Sequence, residues 1–465
     1  MTRRCTAAVP VLLLGLCGLA ACGEPPLPVE ELMNPATCQS CHPGHFTEWS
    51  GSMHAYASDD PVFLALNRKG QEETSGALGG FCVQCHAPLA LQLGLTTDGL
   101  NLPDVPQWAK GVGCYFCHNV VEITGTHNNP IRLAMDQTMR GGLADPVDSP
   151  AHRTAFSPLV DAESQDSSAM CGSCHDIVTP AGVHLERTFA EWQETIFAHA
   201  DPRRHVSCAS CHMIVSTDVV AEGPGLDVPL RPFGRREHTF AGIDTALTPW
   251  PELANQRAAI RRDLKGALLP RLCVLPDAAG RIDYRLDNVG TGHMFPTGAT
   301  ADRRAWAEIV AYDDQDGVVF SSGLMPMNQP YTDPEALGDP NLWLLGTPAR
   351  DAAGQSTELF WRIATLDHPG TLLPPSVTTD PQDPRFYHAV ERGFAVPGLL
   401  PTIRRVTARV LVRPLPFALL DDLMASGHLT VDVRDQVPTH EVEGSVLEWT
   451  AGGSACVCPN GPPCP

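Results

Sequence analysis

Cys38-Gln-Ser-Cys41-His42, Cys82-Val-Gln-Cys85-His86, Cys114-Tyr-Phe-Cys117-His118, Cys171-Gly-Ser-Cys174-His175 and Cys208-Ala-Ser-Cys211-His212 are five copies of one pattern. C-x-x-C-H reads as a covalent haem attachment site. The two thiols add across the haem vinyl groups, and the adjoining His is carried under the iron as its proximal ligand. The rival reading of paired cysteines is structural zinc. Zinc accounts for the cysteine pairs but not for a His directly after every one of them. The expected cofactor is therefore five haem c groups, held by those ten cysteines and by His42, His86, His118, His175 and His212.

Working outward, the chain has 465 residues, more than one ordinary domain and compatible with two or three. Its 43 Pro, 40 Gly and 6% aromatic residues describe a loop-rich protein with few large apolar side chains. Porphyrins would fill that gap in the first half, since each is a flat apolar body around which side chains pack. The formal charge of −21 argues against nucleic acid as a partner. It suits a plain solubilising surface or a basic docking partner.

Residues 1–21 read as a signal peptide, with Arg3 and Arg4 at its charged start and an apolar run too short to span a bilayer. The run ends Leu19-Ala20-Ala21-Cys22, which resembles the lipobox of bacterial lipoproteins. That resemblance implies cleavage before Cys22 and acylation of its thiol as a lipid anchor. The alternative is an ordinary secretory signal with a stray Cys. Both export the chain, and export is where thiols oxidise. The sorting rule that accompanies the lipobox points, through Gly23, to the outer membrane of a Gram-negative bacterium. The expected location is thus the periplasm or cell surface. Residues 22–35, with Glu24-Pro-Pro-Leu-Pro28, read as a stiff tether. Of 17 Cys, the signal, the anchor and the motifs leave Cys273, Cys456, Cys458 and Cys464. Four spare cysteines suggest two disulfides whose pairing the sequence leaves open. The Cys-rich tail at 451–465 reads equally well as a frayed end.

After the first motif, His45, Phe46, Trp49 and Met53 recur at helical spacing, so a short amphipathic helix is expected there. Ser52-Met53-His54-Ala55 follows. Here the chain resembles multihaem cytochromes c related to the tetrahaem electron acceptor of hydroxylamine oxidoreductase, whose first unit reads C-x-x-C-H, a Trp, then S-x-H-A. The resemblance makes His54 a distal haem ligand. Twelve residues of continuous helix would separate His42 and His54 by about 18 Å. Unless Gly51 breaks the helix, His54 should serve a neighbouring haem. Further blocks extend the resemblance: Gly125-Thr-His127-Asn-Asn-Pro130, Ser149-Pro-Ala-His152, Glu186-Arg-Thr-Phe-Ala-Glu-Trp192, His238-Thr-Phe-Ala-Gly242 and Thr291-Gly-His293-Met-Phe-Pro-Thr-Gly298. Their order matches that of multihaem cytochromes from Gram-negative bacteria.

Five proximal His leave thirteen of the 18, enough for a distal His on every iron. The candidates are His54, His127, His152, His238 and His293, with His45, His184, His199 and His205 as substitutes. Met53, Met135, Met139, Met170 and Met213 are weaker candidates, since methionine ligation would raise an iron's potential.

From about Leu268 the texture changes. Ile282, Tyr284 and Leu286 alternate with charged residues, as do Val406, Ala408, Val410 and Val412 with Thr407, Arg409, Leu411 and Arg413. Residues 305–312, 318–320, 359–365 and 429–433 add strand candidates, and Phe417 to Ser426, closed by Gly427, reads as a helix. The expected fold is multidomain: a mainly-α, loop-rich pentahaem cytochrome c domain at 36–265, then an antiparallel β-sandwich at 268–450. The loop Gly290 to Gly298 would either hold His293 against a haem of the first domain or leave it solvated.

The functional expectation is an electron carrier with no catalytic residues, exchanging electrons with basic proteins or other multihaem cytochromes. Two axial His per iron leave no open coordination position. A competing expectation is an enzyme for nitrite reduction or hydroxylamine oxidation, as in relatives of this haem arrangement. The lysine that marks the catalytic haem of pentahaem nitrite reductases is missing from all five motifs. Only Tyr56 and Tyr115 lie in the haem half to offer a cross-link of the hydroxylamine type. A third expectation is a subunit of a haem filament or outer-membrane conduit.

Overall fold

The structure, a computed structural model, describes residues 26–465 except 148, 202, 224, 225, 227, 231–233, 276–279, 462, 463 and 465. The expected signal peptide and the expected anchor Cys22 lie outside the described residues. Thirteen α-helices and several small sheets, nearly all antiparallel, make a mixed fold among the described residues.

Up to about residue 250 the helices are short and the loops long. Two of the motifs, Cys114–His118 and Cys208–His212, are single helical turns. One turn suffices because cysteines three apart then face the same way. Ser207 caps the last of these turns, its hydroxyl accepting from Ser210 N at 3.1 Å. The helix expected after the first motif is Pro43–Ser50; it stops at Gly51, and a separate turn, Met53–Tyr56, follows. The longest helix of this half, Pro61–Glu73, starts on Pro and is capped by Asp60, which accepts from Val62 N at 2.8 Å.

Four short strand pairs, which the sequence patterns did not signal, interleave with these helices. Val120–Ile123 pairs with Ile131–Leu133, Thr138–Gly141 runs parallel to Arg153–Phe156, Ile177–Val178 pairs with His184–Glu186, and Val215–Ser216 with Arg235–Arg236. They are two to four residues long, too short to show a period.

In the second half a four-stranded sheet runs Val390–Ala395, Arg281–Asp287, Leu269–Leu275, Cys456–Val457. A six-stranded sheet is built on Arg304–Tyr312 and Arg405–Arg413, paired antiparallel from Arg304↔Arg413 to Tyr312↔Arg405. Leu272, Ile282, Tyr284 and Leu286 of the first sheet meet Ala307, Ile309, Val406, Ala408 and Val410 of the second in one apolar cluster. Alternation therefore reports the buried faces correctly. Two expected strands differ. Only Ile363–Leu366 of the 359–365 stretch is a strand. Leu429 and Val433 are not in a strand but in a cluster with Phe417, Leu420 and Leu423 of helix Phe417–Ala425. Short apolar runs do not distinguish a strand from a loop laid on a helix. That helix ends as expected, with Gly427 at φ 75°. The four spare cysteines pair as Cys273–Cys456 and Cys458–Cys464.

The halves meet through Val62 and Ala65 of Pro61–Glu73, which join the cluster around Phe417–Ala425. Polar contacts add to this. Arg303 donates to both oxygens of Asp244 at 2.7 and 2.8 Å, and Arg362 to both oxygens of Glu73 at 2.7 and 2.8 Å.

Candidate cofactor-binding site

A cavity of about 2140 Å³ is lined by residues from the first half and from the loop that carries His293. It is at least twice the size of ordinary small-molecule pockets, about 300–1,000 Å³. All ten motif cysteines and all five motif histidines line it. So do His54, His152, His238 and His293.

The imidazoles stand in pairs. His42 and His152 have ring centres 6.3 Å apart, His54 and His175 6.3 Å, and His118 and His238 6.2 Å. A metal-bound imidazole nitrogen sits about 2 Å from the metal with its ring centre roughly 1 Å behind it, so rings on opposite sides of one iron have centres about 6 Å apart. The three spacings fit an iron between each pair. His54 thus faces the fourth motif, not the first, although Gly51 does break the helix before it. His293 is near His212: burial, with a smaller contribution from His212, depresses its pKa to about 4.

A ligating imidazole needs its second nitrogen held. His42 Nδ1 lies 2.7 Å from Val220 O, His118 2.6 Å from Arg140 O, His212 2.8 Å from Ala241 O, His238 2.9 Å from Arg236 O and His293 2.8 Å from Met294 O. His152 is 3.1 Å from Arg153 O and His86 3.3 Å from Ala57 O. Each carbonyl accepts the Nδ1 proton and leaves Nε2 free for a metal. The short strands matter here. Thr138–Gly141 carries the carbonyl that holds His118, and Arg153–Phe156 begins directly after His152. His175 differs, with Nδ1 3.4 Å from Glu186 Oε1. Burial alone would depress His175, but the Glu186 hydrogen bond and charge outweigh it and push the pKa up to about 9.

The loop that carries His293 is latched onto the first half. Glu191, on helix Thr188–Gln193, accepts from Met294 N at 3.2 Å and from Thr297 Oγ1 at 2.6 Å. Of the two readings of that loop, the structure places His293 against the cavity.

The thiols show which motifs are neighbours. Cys38 neighbours Cys114, Cys85 neighbours Cys174, and Cys171 neighbours Cys208. Cys117 lies close enough to Cys171 and Cys174 to interact with both. The fourth motif therefore adjoins the second, third and fifth, and the third adjoins the first.

Other candidates lie apart. His127 is exposed, 3.1 Å from Thr126 Oγ1, on a turn whose next two residues, Asn128 and Asn129, have φ of 58° and 53°. The turn carries the side chain outward, and no imidazole pairs with it among the described residues. His86 likewise has no facing imidazole among the described residues; Phe63 stacks on its ring at 4.1 Å. Of the substitutes, His45 lines the cavity, packed edge-on at 4.7 Å to His238. His199 Nδ1 accepts from Asp201 N, His184 is bonded by Arg187, and His205 packs on Trp192. Met53, Met139, Met170 and Met213 line the cavity and Met135 does not. Tyr56 and Tyr115 bond to Thr248 and Asp136 and do not line the cavity. Sequence reading did not assign roles to Glu186, Glu191 or Arg303. The first two lie in a block it did single out, but acidic residues there carry no local mark of what they touch.

The family model described as "Cytochrome c554 and c-prime" matches residues 37–119, which include the first three motifs. Among solved structures, the chain is similar to a penta-heme cytochrome c552 from Thermochromatium tepidum, with a TM-score of 0.62 and 19% identity, over 91% of this chain and 100% of that one. At that identity the likeness speaks for the fold. No curated protein matches. The family model thus speaks for residues 37–119 and the structural likeness for the fold of most of the chain.

Proposed function

We propose that this chain is an exported, lipid-anchored electron carrier with five covalently bound haems. The observation that carries the reading is the set of three imidazole pairs at 6.2–6.3 Å. In this assignment His42 and His152 ligate one iron, His118 and His238 a second, His175 and His54 a third, and His212 and His293 a fourth. His86 holds the fifth from one side. Haem iron supplies one-electron chemistry when bound. The protein fixes the spacing of the sites through its thioether bonds, turns each imidazole by its Nδ1 partner, and walls the sites off from water. The second half is read as a β-sandwich that presents His293 and closes one end of the cavity. Cys22 would anchor the chain to a membrane, outer-membrane placement following from the lipobox. Partners would be basic redox proteins or further multihaem cytochromes.

Low-temperature EPR of the oxidised protein, with spins counted per covalent haem, tests this. The expected result is four low-spin ferric haems, and one more whose spin state reports the far side of His86. Fewer than three low-spin haems would remove the carrier reading.

A second reading is favoured by one observation, the lack of an imidazole facing His86. An iron with an open position there would admit a small nitrogen-oxide ligand. Nitric oxide added to the ferrous protein should then perturb one haem spectrum; no change would eliminate this reading.

A further inference from the structure

Seven of the cavity imidazoles place Nδ1 against a main-chain carbonyl, namely His42, His86, His118, His152, His212, His238 and His293. His175 faces a carboxylate instead, with Glu186 Oε1 3.4 Å from its Nδ1. The backbone builds this contact. Strand His184–Glu186 returns antiparallel to Ile177–Val178 immediately after the fourth motif, with Ile177 opposite Glu186. The Glu186 side chain is 13% exposed, while the His175 ring, which lines the cavity, is 56% exposed. Arg303 also feels the Glu186 charge, but the nearby guanidinium groups are directed to other carboxylates. Arg303 directs its terminal nitrogens to Asp244, and Arg187 lies 3.9 Å from Asp176.

A carbonyl is a neutral dipole; a carboxylate carries a full negative charge. Drawing the Nδ1 proton towards a carboxylate makes the imidazole a stronger donor through Nε2, which favours the ferric over the ferrous state. The same motif adjoins three others, through Cys85–Cys174, Cys171–Cys208 and the approach of Cys117. It is the meeting point of the set.

We propose that Glu186 is a positioning residue that makes the haem on His175 the most reducing of the series, so that the branch point is crossed by electrons and does not store them. The inference rests on the multihaem reading above. It deepens that reading by assigning a direction to the energy profile: electrons are held at the outer sites and pass over a barrier in the middle.

The test is a spectroelectrochemical titration of the holoprotein beside its Glu186→Gln variant. The wave of lowest potential should move up most in the variant; the haem on His86, which also feels the Glu186 charge, should move less, and the other waves should hold their positions. Glu122→Gln removes one exposed carboxylate paired with Arg132 and should leave every wave in place, which controls for the simple loss of a charge. Glu186→Asp keeps the charge but withdraws it from the ring, so its lowest wave should lie between wild type and Glu186→Gln. That variant also serves if Glu186→Gln fails to take up haem. The inference is overturned if the lowest wave ignores both Glu186 substitutions, or if a different wave moves further than it does. A pyridine haemochromogen assay separates the failures. A chain without covalent haem defeats the carrier reading itself, whereas a fully loaded chain whose lowest wave ignores Glu186 defeats this inference alone.

Discussion

The two halves of this molecule are held together by different means. The second half has an apolar core of its own, where Ile282, Tyr284, Leu286, Ile309, Val406 and Val410 are each no more than 0% exposed. The Cys273–Cys456 bond ties its strand Leu269–Leu275 to Cys456–Val457. At the centre of the first half lies the 2140 Å³ cavity, and its protein-only clusters are small. Short helices around a cavity of that size, with only small clusters of their own, bury too little protein surface against one another to offset chain entropy. The first half should therefore depend on what fills the cavity, and the second should not.

Withholding haem maturation is the strongest way to break this comparison. Amide exchange of the apo-chain should show protection kept in Arg281–Asp287, Arg304–Tyr312 and Arg405–Arg413 and lost across residues 38–212. Equal protection in both halves would refute it. Next in size, Ile282→Ala should cost about 2–5 kcal/mol of stability in the second half, as core truncations do. Denaturant unfolding followed by far-UV signal should reveal the loss, while the haem absorption of the folded protein stays as it was. Replacing Cys273 and Cys456 together by Ser should cost about 2–4 kcal/mol in the same assay, again without touching the haem spectrum.

The smallest effect concerns the latch between the halves. Burial raises the pKa of Glu191 from 4.5 to about 7. A carboxyl whose folded value exceeds its unfolded value binds more protons when folded. Its contribution to stability is thus greatest at low pH and is lost as pH rises from about 4.5 to about 7. Glu191→Gln should flatten that part of the stability-pH curve, measured as the denaturation midpoint across the interval. An unchanged slope would show that the latch is not a buried acid.

The motifs were legible because attachment chemistry is local: two thiols and an imidazole within five residues satisfy it wherever the chain goes next. The strands Arg281–Asp287 and Arg405–Arg413 were legible for a related reason, since a period of two records which face meets a core. The stretch 429–433 misled because its apolar residues record burial without saying against what. His127 and His293 show the same limit at the site. Both follow a Gly-rich or turn-forming stretch, yet one is turned out to solvent and the other is held by Glu191 against the cavity.

From sequence alone came the number and place of the attachment motifs, the class of cofactor chemistry they point to, and the alternation that marks the sheets, because each is written in residues next to one another. Only the tertiary structure decided that His54 faces His175, that His152 faces His42, that Cys273 meets Cys456, and that a carboxylate stands behind one imidazole where carbonyls stand behind seven others. Those are contacts between segments brought together by packing, and no local pattern encodes the partner across the gap.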